Sequence, residues 1–236
     1  MTTSAPLTVA IDGPSGSGKS SVSRAVATRL GLAYLDTGAM YRAAAWWCLR
    51  EGVDLTNADA VTAVVDTMPL SISLDPAAQT VRVDDVDITE AIRDSAISAK
   101  VSQVATNLDV RAIMKREQRA RIAAERHGGF SGGRGIVAEG RDITTVIAPD
   151  ADARILLTAS EEARLARRAQ DVHGAADATA VEATRDEVVR RDRDDSTVSQ
   201  FMQAADGVIT IDSSELTFDQ TIDAVLHAIN QSTQSH

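Results

Sequence analysis

Apolar positions along this chain fall into short runs separated by charged or glycine-rich punctuation. Residues 8–12 (TVAID) form an apolar run of strand length. Val22, Ala25, Val26, Ala27 and Leu30 then recur at helical spacing over residues 19–30, and Gly31 ends the stripe. Residues 33–36 read as a second strand, and 38–49 as a helix bearing Trp46 and Trp47, with Gly52 as its stop. From residue 70 the period becomes two. Residues 70–74 and 80–83 alternate on either side of Asp75, Pro76, Ala77 and Ala78, which predicts a hairpin, and 86–88 offers a third short strand. Helical spacing returns over 92–106 and 110–125, followed by a glycine-rich connection at 127–135. Short apolar runs resume at 136–139, 153–158 and 207–211. Between the last two, Ser160 with Glu161 and Glu162 opens a helix, 172–180 reads as a loose small-residue stretch, and 182–194 as a charged helix. A last helix covers 218–229, and a frayed polar tail follows. Five apolar strands alternating with helices predict an α/β fold with a five-stranded parallel sheet flanked by helices. The stretch 69–126 interrupts that alternation and reads as an inserted lobe. No internal repeat is visible.

Composition narrows the function classes. A chain of 236 residues can build one core, or one core with a small attached lobe. Aromatic residues are scarce, so Ala, Val, Ile and Leu must fill it. The formal net charge of −10 argues against a nucleic-acid partner, which requires a basic face. It also requires any anion site to gather its basic residues locally. The lysines are Lys19, Lys100 and Lys115 alone; all other basic residues are arginine. Cys48 is the only cysteine, which excludes an internal disulfide and fits a reducing compartment. The first seven residues lack the basic start and apolar run of a signal peptide, and no run approaches the ~18–20 apolar residues of a membrane span. A cytoplasmic protein without membrane contact is expected.

The first chemistry-bearing motif lies between the first strand and helix. Gly13, Pro14, Ser15, Gly16, Ser17, Gly18, Lys19 and Ser20 fit the phosphate-binding loop G-x-x-x-x-G-K-[ST], with Ser21 just inside the helix. Its glycines let backbone N–H groups wrap phosphates, and the helix N-terminus adds positive potential. Lys19 reaches the β- and γ-phosphates, and the Ser20 hydroxyl can hold Mg²⁺. A nucleoside triphosphate with Mg²⁺ is therefore expected. A GTPase would need an N-K-x-D base reader, and Thr106-Asn107-Leu108-Asp109 lacks the lysine. Phe130-Ser131-Gly132-Gly133-Arg134 resembles the signature of transporter ATPases. It lies among glycines and leads into a strand, where that signature should open a helix. A kinase of a small phosphorylated acceptor must hold a second anion, which calls for arginines outside the loop. Arg42, Arg111, Arg141, Arg164, Arg167, Arg168 and Arg191 are candidates.

At these arginines a resemblance becomes specific. Asp12-Gly13-Pro14-Ser15-Gly16, Leu35-Asp36-Thr37-Gly38-Ala39-Met40-Tyr41-Arg42, Val101-Ser102-Gln103-Val104-Ala105, Glu139-Gly140-Arg141-Asp142 and Arg191-Asp192-x-x-Asp195-Ser196 occur in this order. Together they resemble the bacterial cytidylate kinases, a family of nucleoside monophosphate kinases, over almost the whole chain. The resemblance implies a single P-loop kinase domain with its core at about 7–65, 135–160 and 205–230. It implies a nucleoside-monophosphate lobe with a β-insert at about 66–126, and a short helical lid at about 160–195.

The resemblance also implies roles. Thr37, Tyr41 and Arg42 would lie at the monophosphate side of the acceptor. Ser102, Arg111 and Asp142 would read cytosine, Arg141 would bind phosphate, and Arg191 and Asp195 would contact the ribose. Arg164 and Arg168 on the lid helix would join Lys19 and Arg141 in neutralising the transferring phosphoryl group. The chemistry of the residues agrees: cytosine presents an N4–H₂ donor to a carboxylate and N3 and O2 acceptors to an arginine, whereas uracil reverses that edge. Plainer readings stand beside these: Arg111 and Asp142 as a structural ion pair, Thr37 as a helix cap, Ser102 as an ordinary polar helix residue, and Arg164 bridged to Glu161 or Glu162 on a solvated face.

Two departures stand out. Glu139 occupies a position where the family more often has Asp, as a Mg²⁺ contact through water. An acceptor-contacting arginine expected near Val198 is absent, and Arg185, Arg190 and Arg193 are the nearest substitutes. The implied reaction is transfer of the ATP γ-phosphoryl group to CMP or dCMP, by a monomer as the default. A kinase of another small acceptor, and a non-catalytic nucleotide-binding regulator, are the alternatives.

Overall fold

The computed structural model describes residues 5–174 and 177–234. In chain order its elements are β1 (Leu7–Asp12), α1 (Lys19–Leu30), β2 (Ala33–Asp36), α2 (Thr37–Arg50), α3 (Ala58–Asp66), β3 (Leu70–Ile72), β4 (Val81–Val83), β5 (Val86–Asp87), α4 (Ser95–Ser98), α5 (Val101–Ala105), α6 (Leu108–Glu125), β6 (Gly135–Gly140), β7 (Ala153–Thr158), α7 (Glu161–His173), α8 (Ala178–Ser196), β8 (Ile209–Asp212) and α9 (Phe218–Gln234).

The expected five-stranded sheet is parallel throughout, in the order β2-β6-β1-β7-β8. Its central strands β1, β6 and β7 are apolar on both faces because helices cover both. On one face Val9, Ile11, Ile155 and Leu157 pack with α1 and α9; on the other Ala10, Leu35 and Ala138 pack with α2, α3 and α6. The chain leaves β1 towards β2 on one side of the sheet and later passes to β7 on the other. The crevice beyond the carboxyl ends of β1, β6 and β7 is therefore a topological switch point, where open α/β sheets hold ligands. The expected hairpin forms β3 and β4, joined antiparallel by β5. This small sheet buries Val81 and Val83 against Ala39 and Ala43 of α2.

Several local readings change. Residues 92–106 do not form one helix. Asp94 accepts the Ala96 N–H and caps α4 after a 3₁₀ turn at Ala91–Arg93, and the helix breaks again before α5. Of the expected loose stretch at 172–180, residues 175–176 lie outside the described residues; before them Gly174 closes α7 in a left-handed conformation, and after them Asp177 caps α8. The polar tail continues α9 to Gln234, and the last two residues of that expected tail lie outside the described residues. Helix α3 was not anticipated, although Asn57 caps it and Val61 and Val65 stand four apart on its buried side. A π-helical turn at Ile143–Ile147 was likewise unread.

The glycine-rich loop ends at Gly135, which opens β6 with φ 117°. A β-carbon there would stand 1.9 Å from the Leu7 carbonyl oxygen on the paired strand. Gly135→Ala should therefore cost roughly 2 kcal/mol or more. The melting temperature measured by calorimetry should fall by ~4–8 °C at this chain length; an unchanged value would show that the two strands can part at no cost.

Candidate active site

The phosphate loop leaves β1 between two constraints. Gly16, at φ 75°, has no room for a side chain, since a β-carbon would meet the Arg164 carbonyl oxygen at 2.4 Å. At the base of the loop, the Asp12 carboxylate is almost wholly buried. It accepts the backbone N–H groups of Ile143 at 2.9 Å and Thr144 at 2.8 Å, and the Thr144 hydroxyl at 2.6 Å. These bonds shape the π-helical turn and fix Arg141 and Asp142 beside the loop. Burial pushes the Asp12 pKa up to about 6 despite the three donors.

Past the loop, the Ser20 hydroxyl donates to Glu139 Oε1 at 2.7 Å, and the Tyr34 hydroxyl to the same oxygen at 3.4 Å. Glu139 is buried at the end of β6, and burial, helped by the charge of Asp36, raises its pKa to about 7. Lys19 donates to the Pro14 carbonyl at 3.4 Å. Burial and the nearby Arg141 and Arg191 lower it to about 8, against the pull of Glu139. Thr37 donates to the Glu139 carbonyl at 2.8 Å, so it ties α2 to β6; the cap of α2 is Asp36, which accepts the Ala39 N–H and pairs with Arg42 at 3.0 Å.

The cleft beyond these groups is lined by six cationic side chains, Lys19, Arg42, Arg111, Arg141, Arg168 and Arg191, against four carboxylates, Asp36, Glu139, Asp142 and Asp195. An acidic chain thus carries a locally cationic pocket. Burial first, then the charges of Arg141 and Arg42, lowers Arg191 to about 10. A bound anion would relieve that repulsion.

The arginines are held in two ways. At one end, Arg111 pairs with Asp142 through Nη2, which also donates to Ser199 Oγ at 2.8 Å, while Nη1 donates to the Ala105 carbonyl at 3.2 Å. The guanidinium lies 6.0 Å from the centre of the Tyr41 ring. Nearer the loop, Arg141 donates to the Gly13 carbonyl at 3.2 Å, pairs with Asp192 at 2.9 Å and Asp195 at 3.1 Å, and lies over the Phe201 ring at 4.2 Å. Arg191 lies 3.9 Å from Asp195.

The cleft brings together most of the residues read from the sequence: Ser15, Gly16, Gly18, Lys19, Ser20, Ser21, Thr37, Tyr41, Arg42, Arg111, Glu139, Arg141, Asp142, Arg168, Arg191 and Asp195. Gly13, Pro14 and Ser17 shape the loop from outside the lining. Ser102 is buried within α5, whose Val101 and Ala105 line the wall instead. Arg164 is only 6 % exposed, and it lies beneath the loop with Nη1 on the Ser15 carbonyl at 2.9 Å and on Asp192. It does not bridge Glu161, which pairs with Arg185. Arg167 holds the Ser17 carbonyl at 3.3 Å. None of Arg185, Arg190 and Arg193 lines the cleft. The sequence motifs contain Asp12 and Asp192 without a role for either, and Ser199 and Phe201 stand outside them. An aspartate ending an otherwise apolar strand was a usable signal for Asp12; the others depend on contacts between distant segments.

Sheet order, phosphate loop and a second cationic wall at the switch point together define a P-loop α/β protein of nucleoside monophosphate kinase architecture. A family model described as cytidylate kinase matches residues 9–231. The cytidylate kinase of Cutibacterium acnes is 49% identical over 97% of this chain and 98% of that protein. That of Nocardia farcinica is 47% identical over 98% and 97%. A bifunctional pantoate ligase/cytidylate kinase of Synechococcus sp. (strain WH7803) is 45% identical over 94% of this chain and 43% of its own length. The chain belongs to the cytidylate kinase family.

The raised pKa of Glu139 makes a pH test possible without ligands. Between its ordinary value of 4.5 and about 7, the folded protein binds a proton that the unfolded chain has released. Stability from this group is therefore lost as pH rises through that window. In nucleotide-free, metal-free protein, Glu139→Gln should flatten the fall of melting temperature between pH 5 and 7. An unaltered slope would assign the titration to another group.

Proposed function

We propose that this protein transfers the γ-phosphoryl group of ATP reversibly to CMP or dCMP, as a monomer in the cytoplasm. The observation that carries the reading is one cleft in which Lys19 faces a second set of arginines and a part-buried Arg111–Asp142 pair. Family membership agrees with it, and none of the helices described is long and apolar enough to cross a membrane.

In this reading the loop amides and Lys19 hold the donor phosphates. Ser20, with Glu139 through water, would hold Mg²⁺: both offer hard oxygens and the Ser20 hydroxyl already donates to Glu139 at 2.7 Å, whereas Asp12 is saturated with N–H and O–H donors and Asp36 is tied to Arg42. Mg²⁺ keeps several waters and takes phosphate oxygens, so two side chains suffice. When bound, it neutralises charge on the β- and γ-phosphate oxygens.

Arg42 and Arg141 hold the acceptor phosphate in line, and Arg191 and Asp195 take the ribose. Asp142 accepts from cytosine N4 and Arg111 donates to its acceptor edge, with Tyr41 and Ser199 fixing the guanidinium; Ser102 supports this wall from within α5. The acceptor is an ionised phosphate oxygen, so no general base is needed. Of the lid arginines, Arg168 faces the transferring group and Arg164 braces the loop. Excluding water matters because water is a competing acceptor.

An ADP-release assay with CMP, dCMP, UMP, AMP and GMP tests the class. CMP should exceed UMP in kcat/KM, because uracil would leave Asp142 facing an acceptor, a mismatch worth ~10³-fold or more. UMP equal to CMP would remove the cytosine reading, and turnover with a hydroxyl acceptor alone would remove the class. Asp142→Asn should erase most of the preference; an intact preference would make Asp142 structural.

Arg168→Ala should lower kcat by ~10²–10³-fold with little change in CMP KM, as for a group that acts mainly in the transition state. An unchanged kcat in single-turnover measurements would exclude Arg168 from the chemistry.

A further inference from the structure

Asp192 has no role in the account above, yet three parts of the site meet at its carboxylate. Oδ1 accepts the Ser15 N–H at 3.1 Å and Arg141 Nη1 at 2.9 Å. Oδ2 accepts Arg164 Nη1, and that same nitrogen donates to the Ser15 carbonyl at 2.9 Å. Both backbone groups of Ser15 are thus gripped by one ion pair that joins α7 to α8. The Asp192 side chain is 8% exposed, and its neighbours Arg191 and Asp195 on α8 both line the cleft.

We propose that Asp192 is a positioning residue that locks the phosphate loop and Arg141 into one mutual geometry, and so sets the alignment of donor and acceptor phosphates. The proposal rests on the reading of Arg141 as the acceptor-phosphate ligand. The two attachments have different consequences. On the donor side, losing the charge weakens the bond to the Ser15 N–H and leaves Arg164 with the Ser15 carbonyl but no carboxylate partner, so the loop loosens. On the acceptor side, Arg141 loses one of two carboxylates that compete with a phosphate for it. Acceptor affinity should therefore not fall. Turnover should fall, because the two anions are no longer held in register. A residue that merely stabilised the fold would weaken both substrates together.

The test is Asp192→Asn in the full chain. It combines calorimetric melting, titration with a non-hydrolysable Mg-ATP analogue, and steady-state kinetics with ATP and CMP. The analogue should bind ~10- to 100-fold more weakly, the loss of one buried charge-assisted hydrogen bond. The kcat should fall by a similar factor, with CMP KM not raised. In folded variant, analogue affinity and kcat within about threefold of wild type would overturn the proposal. So would a CMP KM that rises in step with the loss of analogue affinity. Should Asp192→Asn fail to fold, Arg164→Lys, which keeps the charge and removes the guanidinium, carries the donor-side test. Analogue affinity should then fall with CMP KM unchanged, and undiminished analogue affinity would overturn the proposal. Absence of CMP turnover in the wild type would instead defeat the functional reading, so the two failures are distinguishable.

Discussion

The site depends on a single buried carboxylate at the end of β1. Asp12 takes two backbone N–H groups and a hydroxyl from the turn that follows β6. The phosphate loop begins one residue after it, and Arg141 and Asp142 immediately precede the groups it holds. Register between the two strands is set over six residue pairs by the ladder itself. The carboxylate extends that register past the sheet, into irregular backbone where no ladder acts. Burying the charge is costly, as the raised pKa of Asp12 records. The cost is offset by using both oxygens, which tie the phosphate loop to the turn carrying Arg141 and Asp142.

A second constraint is electrostatic. A protein of net charge −10 must still attract two polyanions to one place. It does so by concentrating cations at the switch point and giving three of them a counter-charge: Asp36 for Arg42, Asp142 for Arg111, Asp192 and Asp195 for Arg141. Burial first, and then neighbouring arginines, still lower Lys19 and Arg191 below their ordinary values. An anion among these groups would stabilise their charged forms.

Much of this was legible in the amino-acid sequence because it is local. The strand-loop-helix around Lys19, the alternating hairpin and the five apolar runs announce themselves through spacing, and the arginines through their number outside the loop. What spacing hides is which contacts cross the fold. Arg164 and Arg168 lie one helical turn apart on an unplaced helix, and only packing of α7 against the loop buries the first and leaves the second in the cleft. Residues 92–106 carry a helical period, but Asp94 captures a backbone N–H locally and breaks the helix, a competition that periodicity does not register. Asp12 was visible as a charge closing an apolar run, while its partners lie more than a hundred residues away.

The departure at Val198 becomes intelligible in the same terms. Family resemblance leads one to expect a further arginine there, yet the cleft already holds six cations, and Arg191 is depressed by burial and by its neighbours Arg141 and Arg42. A sixth guanidinium there would deepen that repulsion. The following residues instead act on the arginines already present: Ser199 places a hydroxyl oxygen on Arg111, and Phe201, fully buried, lays its ring against Arg141. A neutral acceptor and an aromatic face restrict the rotamers of two charged side chains without adding charge. Geometry at fixed charge is what a phosphoryl-transfer site requires of its acceptor wall, because alignment and preorganised charge supply nearly all of the catalysis.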